Sequence, residues 1–210
     1  MVDYKQITRQ AYDQIADEYN RLYGRAGTNE KKYLDKLIKS ISDSARILDA
    51  GCGSGTCCAY LAKKGLEIWG IDLSEAMIDC ARQQVPAGQF EVMDMQKLGF
   101  EDGFFDAIVV AYSLLHISST DLPQVLAEFR RVLRPTGLIL IFVQQGCLEA
   151  VIPYGLDSQP MLVHFYGQME LNQQLVQAGF QVRQGVSFPW NDPQNLSKEI
   201  ICMLAGREVT

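Results

Sequence analysis

Apolar side chains recur at steps of three and four residues along the first forty positions of the chain. One set consists of Ala11, Ile15, Tyr19 and Leu22, and a second of Tyr33, Leu34, Leu37, Ile38 and Ile41. This spacing places the apolar residues of each set on one face of a helix. We therefore predict two amphipathic helices, separated by the segment Gly24 to Thr28, which contains two glycines.

From Arg46 onward the pattern changes to short apolar runs that alternate with helical stretches. Five runs are strand candidates: Arg46–Asp49, Leu66–Asp72, Phe90–Asp94, Phe105–Ala111 and Leu138–Val143. These runs lack the polar alternation of a half-exposed sheet. Continuous apolar runs are typical of parallel strands that are covered on both faces.

The helical stretches between these runs have recognisable ends. One covers Thr56 to Lys64 and stops at Gly65, and another begins at the N-cap Ser74 and ends before Pro86. A third is capped by Asp121, carries Pro123 in its first turn, and closes at Pro135–Gly137. Repeated alternation of strand and helix predicts a doubly wound α/β sheet.

After Val143 a stretch rich in glycine, proline and aromatic residues, Gly146 to Gly167, leads into a helix. We predict this helix over Met169–Ala178, halted at Gly179, followed by two strands around Gln181–Phe188 and Glu199–Ala205. A chain of 210 residues without a linker or an internal repeat is the length of one domain.

Composition and charge narrow the classes of partner. The chain has 19 basic and 25 acidic side chains, a formal net charge of −6, and no basic cluster longer than a pair. Nucleic acid is therefore not an expected partner. No apolar run approaches the roughly 18 residues that span a bilayer, and residues 1–10 lack a signal pattern. We expect a cytoplasmic protein without membrane contact.

Cysteine and histidine usage does not favour a metal site. The chain has six cysteines, no C-x-x-C pair, and only two histidines. Metal centres need ligands at convergent spacing. We predict reduced, partly buried thiols and no metal.

The most informative segment is the glycine-rich turn in ILDAGCGSGT, Ile47 to Thr56. A strand runs into this turn and a helix follows, so that backbone N–H groups face the crevice beside the sheet. The glycines stand at Gly51, Gly53 and Gly55, whereas a dinucleotide site has the spacing G-x-G-x-x-G. The phosphate-binding G-K-[ST] ending is also missing.

Two carboxylates at strand ends define the expected ligand further. Asp49 precedes the first glycine by two residues and would repel a pyrophosphate but attract an amine or another cation. Asp72 ends the next strand, 21 residues after Gly51, at the position from which an acid reaches ribose hydroxyls. The expected ligand therefore has a ribose, a positive group and no phosphate.

Together these residues resemble the class I S-adenosylmethionine-dependent methyltransferases, in the branch of small domains that often carry an N-terminal helical lid. The resemblance covers nearly the whole chain. Its motifs are Leu48–Gly55, Gly70–Ser74 followed by Met77, Asp94–Met95, Phe105–Val109 and Leu133–Gly137. It implies S-adenosyl-L-methionine as cofactor and a Rossmann-like, mostly parallel seven-stranded sheet. The implied strand order is 3-2-1-4-5-7-6, with strand seven antiparallel.

The resemblance also implies a division of the single domain and a role for each site residue. Residues 1–42 would form the lid, 43–145 the cofactor-binding core, and 146–210 the acceptor-side segment with the last two strands. The methionine end of the cofactor would lie against Asp49, Gly51, Cys52, Gly53 and Gly55. The ribose would bind Asp72, and the adenine would lie against Leu73 with Asp94 and the Met95 backbone at its amino group.

Five further residues are expected near the cofactor or the reacting atoms. Ala111 and Tyr112 would lie where the fourth strand opens toward the sulfonium. Met77 is expected to be a core residue whose edge touches the cofactor. Tyr19, with Tyr12, resembles the tyrosine-bearing lid helix that closes over the cofactor in related enzymes, although the spacing of these two tyrosines also suits core packing.

The predicted reaction is methyl transfer to a small-molecule acceptor by in-line displacement, in which holding the acceptor close and aligned is the main contribution. His116, just beyond the fourth strand, is the best candidate for a general base, with Tyr112 beside it; a hydrogen-bonded structural histidine is the alternative. The aromatic segment His164–Tyr166 is either part of an acceptor pocket or a packed lid. Pro189 and Trp190 are interpreted as structural.

Two other function classes stay open at this point. A nicotinamide-dependent oxidoreductase would share the fold but favours the other glycine spacing, and a non-catalytic cofactor- or partner-binding module would keep Asp49 and Asp72. The methylated atom, whether O, N, C or S, is not fixed by the motifs. The chain is expected to be a monomer or a homodimer.

Overall fold

The computed structural model describes residues 3–156, 159–190 and 197–208. Within these ranges the chain forms nine strands, six α-helices and one 3-10 turn. The strands are β1 (Arg46–Ala50), β2 (Glu67–Asp72), β3 (Gln89–Val92), β4 (Phe105–Ala111), β5 (Leu133–Gln144), β6 (Glu149–Tyr154), β7 (Gln159–His164), β8 (Phe180–Pro189) and β9 (Glu199–Arg207). The helices are α1 (Tyr4–Tyr23), α2 (Thr28–Ile38), α3 (Thr56–Ala62), α4 (Glu75–Gln84), α5 (Leu122–Val132) and α6 (Gln168–Gln177), and the 3-10 turn is Leu114–His116.

Seven strands form one sheet in the order β3-β2-β1-β4-β5-β9-β8. The pairs among β1 to β5 are parallel, and β9 runs antiparallel to both β5 and β8. Counted within this sheet, β8 and β9 are its sixth and seventh strands. The predicted α/β fold, with the order 3-2-1-4-5-7-6 and an antiparallel seventh strand, is therefore confirmed.

The central strands of the sheet, such as β1, β4 and β5, are buried on both faces, as their continuous apolar runs predict, whereas the edge strands β3 and β8 are partly exposed. Leu48 and Ile108 pack into a core cluster that includes the apolar face of α5, with Phe129 fully buried. Ile47 and Ala107, one position earlier, pack into a second cluster with residues of α2, α3 and α4. Because successive strand residues point to opposite faces, one apolar run supplies both clusters.

Helix α1 lies across the carboxyl side of the sheet and is fastened at two points. The Asp13 carboxylate accepts hydrogen bonds from the Ser74 hydroxyl (2.6 Å) and from the Ala76 N–H (3.3 Å) at the start of α4. Lys5 forms an ion pair with Asp94. The buried face of α1 packs beside Met77, where Ala16 joins a small cluster. The first helix therefore covers the ends of β2 and β3.

The structure differs from the predicted elements in three places. The stretch from Gly146 to Gly167 contains the antiparallel hairpin β6–β7, which was not predicted because proline and glycine interrupt its alternation. Helix α5 ends at Val132 rather than at 135–137, since Leu133 already pairs with Phe105 in the sheet. Asp121 precedes this helix, but its side chain makes no capping hydrogen bond.

The longest helix, α1, has 20 residues, and charged side chains such as Lys5, Asp13 and Arg21 interrupt its apolar positions. Across the described ranges, no helix combines the length and apolar character that crossing a bilayer requires.

Candidate functional site

A cavity of about 360 Å³ lies at the carboxyl ends of β1, β4 and β5. Its floor is formed by the strand ends and the glycine turn, and its roof by α1 and the beginning of α2. The floor residues are Asp49, Gly51, Cys52, Gly53, Ser54, Ala111, Tyr112 and Gln144. The roof includes Tyr12, Tyr19, Tyr23 and Glu30, with Tyr154 and Trp190 at the side. Ligands of doubly wound sheets bind in this crevice.

The glycine turn has a backbone that residues with side chains adopt poorly. Gly51, Gly53 and Gly55 have φ values of +74°, +51° and +87°. The N–H groups of Gly51 and Cys52 both donate to the carbonyl of Ile71, at 2.8 and 2.9 Å, which ties the turn to β2. Positive φ is accessible to glycine at low cost. The three glycines thus let the chain reverse tightly against the cavity.

Asp49 is a carboxylate buried in the cavity floor with one oxygen lacking a partner. Its side chain is only 1% exposed; Oδ2 accepts a hydrogen bond from the Cys58 thiol at 3.1 Å, whereas Oδ1 has none. Burial raises the pKa of Asp49 to about 7, and the charge of Asp72 adds to this shift. An unpaired buried carboxylate oxygen is suited to receive a cationic or hydrogen-bond-donating group.

Asp72 fastens the glycine turn to the start of α4. Its Oδ2 accepts from the Gly53 N–H at 2.9 Å, and its Oδ1 from the Ser74 N–H at 3.0 Å. Burial raises the pKa of Asp72. Tyr19 lies beside it, and burial followed by the Asp72 charge raises the pKa of Tyr19 well above its usual value. Asp72 is therefore next to the cavity floor and beside Tyr19 of α1.

The structure brings only part of the predicted cofactor set to the cavity wall. Tyr19, Asp49, Gly51, Cys52, Gly53 and Ala111 line the cavity. Asp72 and Leu73 are not wall residues of the cavity; Asp72 lies beside Tyr19 of α1, and Leu73 is half-buried. Gly55 is the N-cap of α3, where a Cβ would lie 3.1 Å from Ala81. Met77 is 1% exposed and packs against Ala16 of α1.

Asp94 and Met95 lie farther along the same edge. Asp94 Oδ2 pairs with Lys5, and Oδ1 accepts from the Gln96 N–H at 2.9 Å. An adenine amino group would share this carboxylate with Lys5 or displace it. The side chain of Met95 is partly buried against the core, with its terminal methyl near Gly51.

The cysteines around the turn are buried and protonated. Burial raises the pKa of Cys57 and that of Cys58 well above the usual value. The Cys52 thiol donates to the Gly53 carbonyl at 3.5 Å. Within the described residues no group of three or more His, Cys, Asp or Glu side chains is arranged to hold a metal.

Tyr112 stands at the end of β4 with an unusual backbone. Its φ is +62°, and among the described residues it is the one non-glycine with positive φ. Its hydroxyl donates to the Glu30 carboxylate in the first turn of α2. Burial, then the Glu30 charge, raises the pKa of Tyr112 well above its usual value. Tyr112 is therefore a protonated wall residue whose strained backbone aims it into the cavity.

His116 reaches the cavity through Tyr12. Its Nδ1 lies 2.9 Å from the carbonyl of Leu162, which only accepts, so Nδ1 carries the proton. The Tyr12 hydroxyl, 2.9 Å from Nε2, is then the donor to the imidazole. Burial lowers the pKa of His116 to about 4. The histidine is thus a neutral acceptor, and Tyr12 rather than His116 forms the cavity wall.

The aromatic segment after β5 is a packed element. Phe165 and Tyr166 are 1% and 0% exposed, and His164 stacks on Tyr166 at 3.9 Å and bonds Glu170. None of the three belongs to the cavity wall. Of the two interpretations, the structure supports the packed one.

Three residues that line the cavity were not predicted from the sequence: Glu30, Gln144 and Trp190. Gln144 directly follows the apolar run of the fifth strand, so its position at a carboxyl end was a usable signal. Glu30 comes from α2 and Trp190 from the end of β8, and no local pattern connects them with the glycine turn. Trp190 is a wall residue, which corrects its purely structural interpretation.

The chain resembles known proteins over its central part. Residues 47–137 match a family described as a methyltransferase domain. YqeM of Bacillus subtilis, described by its name as a methyltransferase, is 36% identical over 140 residues, which are 64% of this chain and 56% of YqeM. The demethylmenaquinone methyltransferase of Thermotoga maritima is 34% identical over 144 residues, 65% of this chain and 61% of that enzyme. The matched part is little more than half the length of these relatives.

A solved structure is similar over almost the whole chain. The 1,6-didemethyltoxoflavin-N1-methyltransferase of Burkholderia thailandensis, with bound 1,6-didemethyltoxoflavin and S-adenosylhomocysteine, has a TM-score of 0.77 at 20% identity. The similarity covers 98% of this chain and 89% of that one. At this identity the likeness concerns the fold. The names of the last two proteins contain different methyl acceptors, demethylmenaquinone and 1,6-didemethyltoxoflavin, and therefore do not fix the acceptor of this chain.

Proposed function

We propose that this chain transfers a methyl group from S-adenosyl-L-methionine to a small molecule. By its fold and by the match of residues 47–137, the chain belongs to the class I S-adenosylmethionine-dependent methyltransferases. When bound, this cofactor supplies an electrophilic methyl carbon on a positively charged sulfur. The nicotinamide-dependent alternative has no support from the family match or the relatives named above.

The observation that carries the proposal is the unpaired oxygen of Asp49. Asp49 Oδ1 is buried in the cavity floor beside the Gly51–Gly53 turn and has no hydrogen-bond partner. The α-ammonium of a methionine moiety would supply both the donor and the positive charge that this oxygen lacks. A pyrophosphate would instead bring negative charge against a buried carboxylate. The residues present therefore fit the cofactor.

The other residues would each contact a different part of the cofactor or the reacting atoms. The Gly51–Gly53 backbone lets the methionine moiety approach closely, and Asp72 is next to the turn, where its carboxylate would bind the ribose hydroxyls. Tyr19, on α1, would cover the cofactor from the solvent side. Ala111 and Tyr112 would form the wall next to the reacting atoms. Holding both reactants in line can contribute roughly 7–11 kcal/mol to lowering the barrier.

Tyr12 and His116 form a path along which a proton could leave the acceptor. The Tyr12 hydroxyl lies in the wall and donates to the neutral His116 imidazole. A proton taken from the acceptor by the Tyr12 oxygen can be balanced by transfer of the hydroxyl proton to Nε2. His116 then acts through Tyr12, as a positioning and proton-accepting residue.

Substituting Tyr12→Phe tests this path. We expect the turnover number to fall about 10²–10⁴-fold with an acceptor whose proton must leave, because the relay to His116 is cut. Cofactor affinity should change less than threefold. Since the pKa of His116 is about 4, wild-type turnover should show no histidine step between pH 6 and 8. A full turnover number in the variant, or a step near pH 6.5, would contradict this role.

The proposed function itself is tested by calorimetric titration of the purified chain with S-adenosylmethionine and, separately, with NAD. We expect micromolar affinity for S-adenosylmethionine and no measurable binding of NAD. Incubation with pooled metabolites should then release S-adenosylhomocysteine. Preferred binding of NAD would contradict the cofactor, and cofactor binding without any product would support a non-catalytic module.

Substituting Asp72→Ala is expected to weaken S-adenosylmethionine binding about 10²–10⁴-fold. Two hydrogen bonds from ribose hydroxyls to a charged carboxylate account for this size, at about 1.5–3 kcal/mol each. Asp79→Ala is the matched control, since Asp79 is an exposed acid on α4 that pairs with Arg82. Calorimetry measures both affinities, and thermal unfolding checks that both variants fold. Unchanged affinity in Asp72→Ala would remove the ribose assignment.

A further inference from the structure

We infer that the methyl acceptor is an amine carried on a flat apolar body, recognised by the side-chain oxygen of Gln144 and the carboxylate of Glu30. This inference rests on the proposed methyl transfer and names the class of its second substrate. The side chain of Gln144, at the end of β5, is only 3% exposed and lines the cavity. Its amide oxygen, Oε1, has no hydrogen-bond partner.

Three hydroxyl groups of the wall already donate to partners within the protein. The Tyr112 hydroxyl donates to Glu30, the Tyr12 hydroxyl to His116, and the Thr56 hydroxyl to the Tyr23 carbonyl. These three hydroxyl groups therefore have no hydrogen left to donate to a ligand. A bound amine would bring the donors that the Gln144 oxygen and the Glu30 carboxylate can accept.

The same arrangement disfavours a carboxylate or phosphate acceptor. Such a group would bring its oxygens against those of Gln144 and Glu30, and the hydroxyls of Tyr12, Tyr112 and Thr56 already donate within the protein. Arg25, the cation among the described wall residues, is exposed to solvent. Buried polar groups left without partners weaken binding strongly.

Aromatic and apolar surfaces define the body of the acceptor. The rings of Tyr112 and Trp190 are nearly parallel, at 18°, with centroids 6.5 Å apart. Aromatic faces attract both flat apolar groups and cations. Leu22, Tyr23 and Leu156 also line the cavity, and they remain 47%, 39% and 37% exposed. An acceptor with a flat apolar body would cover these side chains.

The reaction of such an acceptor balances without a further reagent. An ammonium that enters gives one proton to the Tyr12 oxygen while the Tyr12 hydroxyl proton moves to His116 Nε2, from which a proton later passes to solvent. The neutral nitrogen then forms a bond to the methyl carbon while the carbon–sulfur bond breaks, and the electron pair of that bond stays on sulfur. The product is a methylated ammonium, a neutral thioether and one released proton.

Three indole compounds with one body and different end groups test the recognition. Tryptamine, tryptophol and indole-3-propionate are titrated calorimetrically into the whole chain saturated with S-adenosylhomocysteine, which prevents turnover. We expect tryptamine to bind at least tenfold more tightly than the alcohol or the acid. Equal affinities, tighter binding of the acid, or no binding of any of the three at millimolar concentration would overturn the inference.

Two variants connect this preference with the named residues. Gln144→Leu removes the unpaired oxygen at nearly constant volume, and Glu30→Gln removes the charge. Each should weaken tryptamine binding about tenfold or more, because each removes one hydrogen bond to a charged group. The binding of tryptophol should change less than threefold. Loss of all three ligands in equal measure would indicate a structural role and overturn the assignment.

Gln145→Leu is the matched control. The side-chain oxygen of Gln145 is also buried and unpaired, but Gln145 does not line the cavity. The control should bind tryptamine like the wild type, and thermal unfolding compares the folding of all variants. Binding of S-adenosylhomocysteine is measured first. If it does not bind, the proposed function fails; if it binds and the amine preference is missing, only the acceptor class fails.

Discussion

Replacing Gly51 with alanine is expected to abolish measurable binding of S-adenosylmethionine and to lower the free energy of unfolding by several kcal/mol. The φ of Gly51 is +74°, a conformation that costs a residue with a side chain about 1–2 kcal/mol. A Cβ at this position would lie 2.2 Å from the Cβ of Ser113. Ser113 cannot simply withdraw, because its hydroxyl donates to the Ala50 carbonyl at 2.7 Å.

Gly65→Ala separates the cost of the positive φ from the cost of the steric clash with Ser113. Gly65 has a similar φ of +84°, but a Cβ there would meet no atom within 4 Å. We expect this control to lose only about 1–2 kcal/mol of stability and to bind the cofactor normally. Denaturant unfolding and calorimetry provide both comparisons. Wild-type cofactor affinity in a folded Gly51→Ala protein would show that the turn is not part of the binding site.

Substituting Asp49→Asn should have opposite effects on stability and on binding. At pH 8 we expect the ligand-free variant to be more stable than the wild type by a few kcal/mol, because it no longer buries an ionised carboxylate. Its affinity for S-adenosylmethionine should fall about 100-fold or more, because the ammonium loses its charged partner. The amide oxygen can still accept the bond from the Cys58 thiol.

The sign of the pH dependence follows from the pKa of Asp49. Its usual value is 3.8 and the folded protein raises it to about 7, so the folded state holds a proton that the unfolded state has lost. This group therefore contributes progressively less stability as the pH rises from about 4 to about 7. Cofactor affinity should change in the opposite direction and increase from pH 6 to pH 8, as the carboxylate ionises.

Thermal unfolding measures the pH dependence of stability from pH 5 to pH 8, and calorimetry measures that of the cofactor affinity. The stability difference between Asp49→Asn and the wild type should be small near pH 5 and largest at pH 8. The variant should also lose the increase of cofactor affinity between pH 6 and 8. A variant less stable than the wild type at pH 8, or one with unchanged affinity, would contradict the role of Asp49.

The fold could be predicted from the sequence because its signals are local. Apolar runs such as Phe105–Ala111 and Leu138–Val143 need burial on both faces, and the helices between them leave a parallel sheet as the arrangement that provides it. The glycine turn could also be predicted, since Gly51, Gly53 and Gly55 occupy positions with positive φ. Both signals come from residues that are near one another in the chain.

The acceptor side of the cavity could not be predicted in the same way. Glu30, Tyr112 and Trp190 meet there from α2, the end of β4 and the end of β8, and their proximity depends on how distant elements pack. The hydrogen bond between Tyr12 and His116 likewise spans 104 positions of the chain. The role proposed for His116 depends on this bond, which its own surroundings in the sequence do not indicate.

The attachment of α1 couples ligand exchange to ionic conditions. Asp13 fastens this helix to the start of α4, and Lys5 fastens it to Asp94 through a pair whose side chains are about one third exposed. Solvent-exposed ion pairs weaken as salt increases. We expect a nucleoside beneath α1 to enter or depart when these contacts part. Added salt should therefore shorten the residence time of S-adenosylhomocysteine. At low ionic strength, dissociation of this product rather than the chemical step would then limit the turnover rate.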